Sequence, residues 1–224
     1  MIANPWLSLD SNGPPYILDT DRSYIERHNA KTGAEHRLML NSIPEPFIGD
    51  PTTARVVLLS LNPGHCPADE PDHRRLPIKK AIFRNLRQEP QEYPFYAFNP
   101  DFRDTGVEVY WRKYTRALQL EAGLDDASFA KRLLVIEWFP YHSEKCDLGT
   151  RYVCGSQLFS FELAKKMARK EGVQVIGMRS REHWIQVHPS FASIPFLANK
   201  QSPWLTRRNM DDGLFDRVLE TLRK

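Results

Sequence analysis

Four short runs of branched and aromatic residues stand out after the first fifty positions: RVVLLS at 55–60, RLLVIEWF at 132–139, VQVIGM at 173–178 and IPFLA at 194–198. None alternates strictly between apolar and polar positions, the pattern of a strand with one wet face. Near-continuous apolar runs belong instead to strands covered on both faces, as in a parallel sheet. The intervening segments carry helical spacing. In SQLFSFELAKKMARKEG, Phe159, Leu163 and Met167 recur four apart. Ser156 is expected to cap the first turn, basic residues fill the last turns and Gly172 stops the helix. VYWRKYTRALQLEAG predicts a helix ending at Gly123, and DDGLFDRVLETLRK a carboxyl-terminal helix with an acidic start and a basic end.

Alternating strands and helices predict right-handed β-α-β crossovers, hence an α/β fold: a three-layer α/β/α domain around a mainly parallel four-stranded sheet. The first fifty residues read differently. A helix-like piece near Tyr24 to Asn29 is followed by a break at KTGAE, a second helical piece, and SIPEPFIGDP, whose prolines forbid continuation. The expectation is a single domain over residues 1–224, with 1–54 as a helical and irregular arm packed on a core at 55–224.

Composition narrows the function classes. Of the 224 residues 41% are hydrophobic, enough for a proper core. Thirty-one Lys and Arg against 28 Asp and Glu leave a formal charge of +3, so any nucleic-acid surface must be local. The amino terminus has no basic segment followed by an apolar run, and no window approaches the roughly 20 apolar residues of a membrane span. A soluble, cytoplasmic protein without a membrane partner, and a monomer, is the expectation. Three cysteines without a Cys-x-x-Cys pair suit reduced thiols. His65, Cys66 and His73 are the nearest approach to a metal set, but short His/Cys neighbourhoods on loops are usually incidental, so neither metal nor cofactor is expected.

In open α/β sheets reaction sites gather at the carboxyl ends of the strands. Asn62, Glu137 or Pro140, Arg179 and Lys200 emerge there. No Gly-rich dinucleotide loop, P-loop, Gly-x-Ser-x-Gly elbow or two-histidine helix motif is present. What remains is strand-end loops rich in polar groups and rigid aromatics. One is SLNPGH, where Asn62 also suits an ordinary turn. Others are NKQSPWLTRRN, EYPFYAFNPDF and FPYHS, the last with Tyr141, His142 and Ser143 as pocket candidates.

SLNPGH after the first run and NKQSPWLTRRN after the last resemble the two signature loops of the uracil-DNA glycosylase superfamily, with FPYHS resembling a divergent bacterial branch. There the first loop reads Gly-x-Asp-Pro or Gly-x-Asn-Pro, and the second His-Pro-Ser-Pro or Asn-Pro-Ser. The resemblance spans roughly residues 55–222 and implies a glycosylase-like core that acts on DNA, damaged or single-stranded, without a cofactor. Asn62 matches the position that is Asp in the most active members; a carboxylate takes a proton from water, whereas an amide only orients it. Pro63 stiffens the loop, Gly64 admits a ligand close to the backbone, and His65 lines the base pocket. Lys200, where the family has His or Asn, is expected to stabilise the departing base anion. Gln201 replaces the family proline, leaving Ser202 and Pro203.

Trp204 and Leu205 follow as wedges for a vacated base stack, Leu205 the better of the two, and Arg207 and Arg208 as phosphate contacts. Phe95 or Phe98 is expected to stack on the flipped base. Glu137 falls nearest to an Asn whose amide reads the pyrimidine edge; an ionised carboxylate there presents acceptors only. The literal His-Pro-Ser at His188–Ser190 lies too soon after the 173–178 run for a crossover of about ten or more residues, so REHWIQV is expected to be the crossover helix. The resemblance implies a DNA-glycosylase-like protein that hydrolyses the N-glycosidic bond of a flipped damaged or deaminated base without a metal. A non-catalytic nucleic-acid or nucleotide binding module on the same scaffold is the alternative, and a small-molecule hydrolase or transferase using Glu137, His142 and His65 a third reading.

Overall fold

The structure, a computed structural model, describes residues 2–149, 151, 154–199, 201–211 and 213–224. Its sheet holds β1 (Phe47–Gly49), β2 (Val56–Ser60), β3 (Leu133–Glu137) and β4 (Gln174–Gly177) in the order β1-β3-β2-β4. The central β2 pairs in parallel with both β3 and β4, while β1 runs antiparallel to β3. The sheet is therefore mixed, not mainly parallel as expected. The predicted strand at 194–198 is reduced to a parallel bridge between Gly177 and Phe196. Pro195 has no N–H to extend a ladder. Beyond Leu197 the chain turns away, and the Ala198 amide bonds the Asn209 carbonyl at 3.1 Å instead. The fourth strand comes from the arm: Phe-Ile-Gly between Pro46 and Pro51, too short to stand out as a run.

Among the described residues there are eight α-helices: α1 (Asp19–Lys31), α2 (Asp69–Arg74), α3 (Leu76–Leu86), α4 (Gly106–Ala122), α5 (Asp126–Arg132), α6 (Gln157–Ala168), α7 (Arg181–Val187) and α8 (Leu214–Arg223). Every residue of β2 and β3 is buried. Since successive side chains point to opposite faces, both faces of the sheet are covered. α6 lies against β3 and β4, and α8 against β2, β4 and α4. No helix is long and apolar enough to cross a membrane among the described residues.

The local signals act in different ways. Thr105 caps α4 by accepting the Glu108 N–H at 3.3 Å, and Gly123 ends it with φ +71°. Ser156 precedes α6 but its hydroxyl makes no cap, a correction to the expectation. Its backbone N–H donates to Asp21 Oδ1 at 3.1 Å, drawing the residue toward the arm. Asp21 is buried on α1 and also accepts the Tyr141 hydroxyl at 2.8 Å, so one carboxylate ties arm to core. A continuous hydrophobic cluster runs from Trp6, Tyr16 and Ile25 through Val57 and Val135.

Gly177 shows how tight the sheet edge is. A Cβ built there falls 2.1 Å from the Phe196 ring. Gly177→Ala is expected to expel that ring, break the last parallel bridge and cost about 1–3 kcal/mol. A lower urea midpoint at unchanged slope checks this.

Candidate active site at the strand ends

β2, β3 and β4 end on one cavity of about 510 Å³. Its wall includes Ser60 to Cys66 after β2, Glu137 at the end of β3 and Arg179 just beyond β4. Parallel strands deliver their carboxyl-terminal loops to one side of a sheet, which is why segments distant in sequence meet here. The opening turns of α4 add Tyr110 and Trp111, and the arm adds Glu45 and Ile48. The volume is that of a small-molecule pocket.

Asn62 is clamped. Its amide nitrogen donates to the Pro63 carbonyl at 2.9 Å, the Ser143 hydroxyl at 3.0 Å and the Tyr141 carbonyl at 3.5 Å. Carbonyl oxygens accept only, so the NH2 end must face them, and Oδ1 is the end left for a ligand or water. The neighbouring backbone is tied as well. Gly64 pairs with Ser143 in a parallel bridge, and its carbonyl accepts from His142 Nδ1 at 2.7 Å. A Cβ on Gly64 would meet nothing within 4 Å, so that backbone is open to close approach. His65 Nδ1 lies 3.6 Å from Asp69 Oδ2, too far for a hydrogen bond, while that carboxylate accepts from the Cys66 N–H at 2.7 Å and Sγ at 3.0 Å.

Glu137 is buried, and its Oε2 finds no hydrogen-bond partner among the described residues. Burial pushes its pKa up to about 8; Ser60 and Arg179 pull the other way, while the nearby Glu45 carboxyl raises it further. At pH 7 it is thus mainly a neutral acid, with one O–H donor and one carbonyl acceptor. The buried Nε of Arg179 also lacks a partner there. With His65 Nδ1, three buried polar atoms on side chains lining one cavity lack a hydrogen-bond partner among the described residues, which a bound polar group would satisfy.

Behind this wall lies a buried trio, Glu45, His73 and His142, with ligand-type atoms within 4.8 Å of one another. This trio, rather than His65, Cys66 and His73, has the spacing of a metal set among the described residues. Its hydrogen bonds do not fit an ion. His73 accepts the Ile43 N–H through Nδ1 at 2.9 Å, so in the neutral ring the proton sits on Nε2 and leaves no second lone pair. Burial first, then the neighbouring histidines, hold His73 well below the ordinary histidine range, which keeps it neutral. His142 faces backbone carbonyls with both nitrogens, Gly64 at 2.7 Å and Ile43 at 2.9 Å, and Glu45 lies 3.3 Å away. The Tyr96 hydroxyl donates to the other Glu45 oxygen. Burial raises the Glu45 pKa, partly offset by His142. The trio therefore works as a brace joining the arm, α2 and the Asn62 loop.

Asn62, Pro63, Gly64, His65 and Glu137 share this cavity, with His142 and Ser143. Phe95 and Phe98 do not: both are fully buried, in ring contact with Trp111 and Phe129 respectively, and the aromatic side chains that line the cavity are Tyr110 and Trp111. Lys200 lies outside the described residues. None of Ser202, Pro203, Trp204, Leu205, Arg207 and Arg208 lines the cavity. Leu205 is a core residue whose N–H bonds the Tyr114 carbonyl at 2.9 Å, so no surface is left for a wedge. Arg207 is held by Glu121 at 2.9 Å and Asp216 at 2.6 Å, which occupies the guanidinium expected to contact phosphate. Tyr141 points to Asp21, away from the site.

Glu45 escapes sequence reasoning because it sits in a proline-rich segment that offers no period. Tyr110 falls inside a helical pattern, and nothing in the α4 spacing says which turn faces a cavity. Compared with known proteins, the chain matches no family model, no curated protein and no solved structure.

Proposed function

We propose that the chain is a DNA-glycosylase-like protein that binds nucleic acid, accepts an extruded damaged or deaminated base in the strand-end cavity and hydrolyses its N-glycosidic bond without a metal. The observation that carries this reading is the pairing, on one cavity, of a clamped Asn62 whose NH2 end is engaged, leaving Oδ1 for a ligand, and a buried Glu137 with an oxygen unpartnered among the described residues. Asn62 Oδ1 accepts from a water and aims it at the anomeric carbon. As the C–N bond breaks, the base leaves with the bonding pair and the water oxygen bonds to the sugar, losing its proton to solvent or base. Neutral Glu137 donates to the base edge, and Arg179 is the cation at the same cavity for the developing negative charge. Tyr110 and Trp111 offer ring faces.

Duplex and single-stranded oligonucleotides carrying uracil, hypoxanthine, mismatched thymine or alkylated bases test this. Expected is an abasic, alkali-labile product from at least one of them, lost with Asn62→Ala. No abasic product from any substrate removes the enzymatic claim and leaves a binding module.

A further inference from the structure

We infer that the ridge formed by Tyr110, Tyr114 and Trp204 is a stacking platform for single-stranded nucleic acid, leading an unpaired strand to the cavity mouth. This rests on the proposed nucleic-acid function and extends it to the form of the strand. Trp6, Trp111, Trp138 and Trp184 are at most 4% exposed, but Trp204 is 40% exposed. That exposure is held in place. Asn209 Nδ2 bonds the carbonyls of Ser202 at 3.1 Å and Trp204 at 3.0 Å, and the next amide is pinned to α4 through Tyr114. A large apolar ring kept partly in water by a rigid loop gains by stacking.

The rings form a continuous series. Tyr110, which lines the cavity, lies 4.6 Å from Tyr114 centroid to centroid, and Tyr114 lies 5.4 Å from Trp204. Lys113 Nζ sits 5.4 Å from the Tyr114 ring and 5.5 Å from the Trp204 ring. Lys113 and Arg116 are one turn apart on α4, and Arg208 is exposed on the Trp204 loop. None of the three has a carboxylate partner within ion-pair distance among the described residues, unlike Arg207. Ring faces interleaved with unpaired cations complement a strand of alternating bases and phosphates. A duplex hides its base faces within its own stack, so only an unpaired strand can use the rings.

Fluorescence anisotropy of a labelled thymidine oligonucleotide and of its duplex, at several salt concentrations, tests the platform. Wild type is expected to prefer the single strand. Trp204→Ala should weaken that binding roughly tenfold while leaving duplex affinity unchanged. Trp204→Phe should retain most of it, and Lys113→Glu should lower the salt slope by about one. Equal binding by wild type and Trp204→Ala, equal loss in Trp204→Phe, or a preference for duplex overturns the inference. Glu137→Ala separates this from the proposed chemistry, since it should abolish base release and keep strand binding. Strand binding with the expected Trp204 pattern but no base release overturns the chemistry alone. Base release with Trp204→Ala binding like wild type overturns the platform alone.

Discussion

At pH 9 the Glu137→Gln protein is expected to be more stable than wild type by about 2–4 kcal/mol, and at pH 5 the difference should shrink to under about 1 kcal/mol. Glu137 is buried with a pKa raised from 4.5 to about 8, so the folded state favours its protonated form. Its contribution is fully present below pH 4.5, is lost progressively as pH rises toward 8, and is flat above. Each pH unit in that window costs up to roughly 1.4 kcal/mol, and water entering the cavity reduces the total. Glutamine keeps a donor and an acceptor but never ionises. Glu45, also raised by burial, and His73, lowered by it, titrate in both proteins, so the difference reports Glu137 together with its coupling to the neighbouring Glu45. Urea unfolding at pH 5, 7 and 9 reads it directly. Base release should follow the same group: wild-type turnover falls above pH 8, as the donor to the base edge becomes an acceptor, while the variant stays level. Parallel pH profiles for the two proteins would contradict the assignment of Glu137 as a neutral acid.

Much of this was legible in the chain because strands buried on both faces are written as unbroken apolar runs. RVVLLS, RLLVIEWF and VQVIGM all form strands, and their ends give the address of the cavity. IPFLA carries the same signal, but Pro195 and the pull of Asn209 on Ala198 outweigh it. β1 has almost no signal, since three residues between prolines are paired only because β3 offers a free edge. The site divides similarly. Asn62 and Glu137 follow from strand position alone. The aromatic candidates in EYPFYAFNPDF lie elsewhere because density of rings does not distinguish core from cavity; Phe95 and Phe98 fill the space beneath α4 and α5, and Tyr110 and Trp111 on the next helix reach the opening. The brace of Glu45, His73 and His142 joins three separate segments, a relation that depends on tertiary contact.

The clamp on Asn62 leads to a less obvious expectation: replacing it with the more basic aspartate should not accelerate the reaction. In Asn62→Asp an oxygen takes the place of the nitrogen that now lies 2.9 Å from the Pro63 carbonyl and 3.5 Å from the Tyr141 carbonyl. Only the Ser143 hydroxyl can turn to donate to it. An ionised carboxylate at this position would set negative charge against two acceptors, at a cost of about 1–3 kcal/mol in stability. The carboxyl then binds a proton to restore the donor, and thereby gives up the basicity for which it was introduced. Turnover of Asn62→Asp at pH 7 should fall below wild type and recover toward pH 5, whereas Asn62→Ala should be slower by at least about a hundredfold at every pH. An aspartate variant faster than wild type at neutral pH would mean that the loop can rotate out of its clamp. The rigid presentation of Oδ1, on which the water-positioning role rests, would then be wrong even though the cavity itself remained.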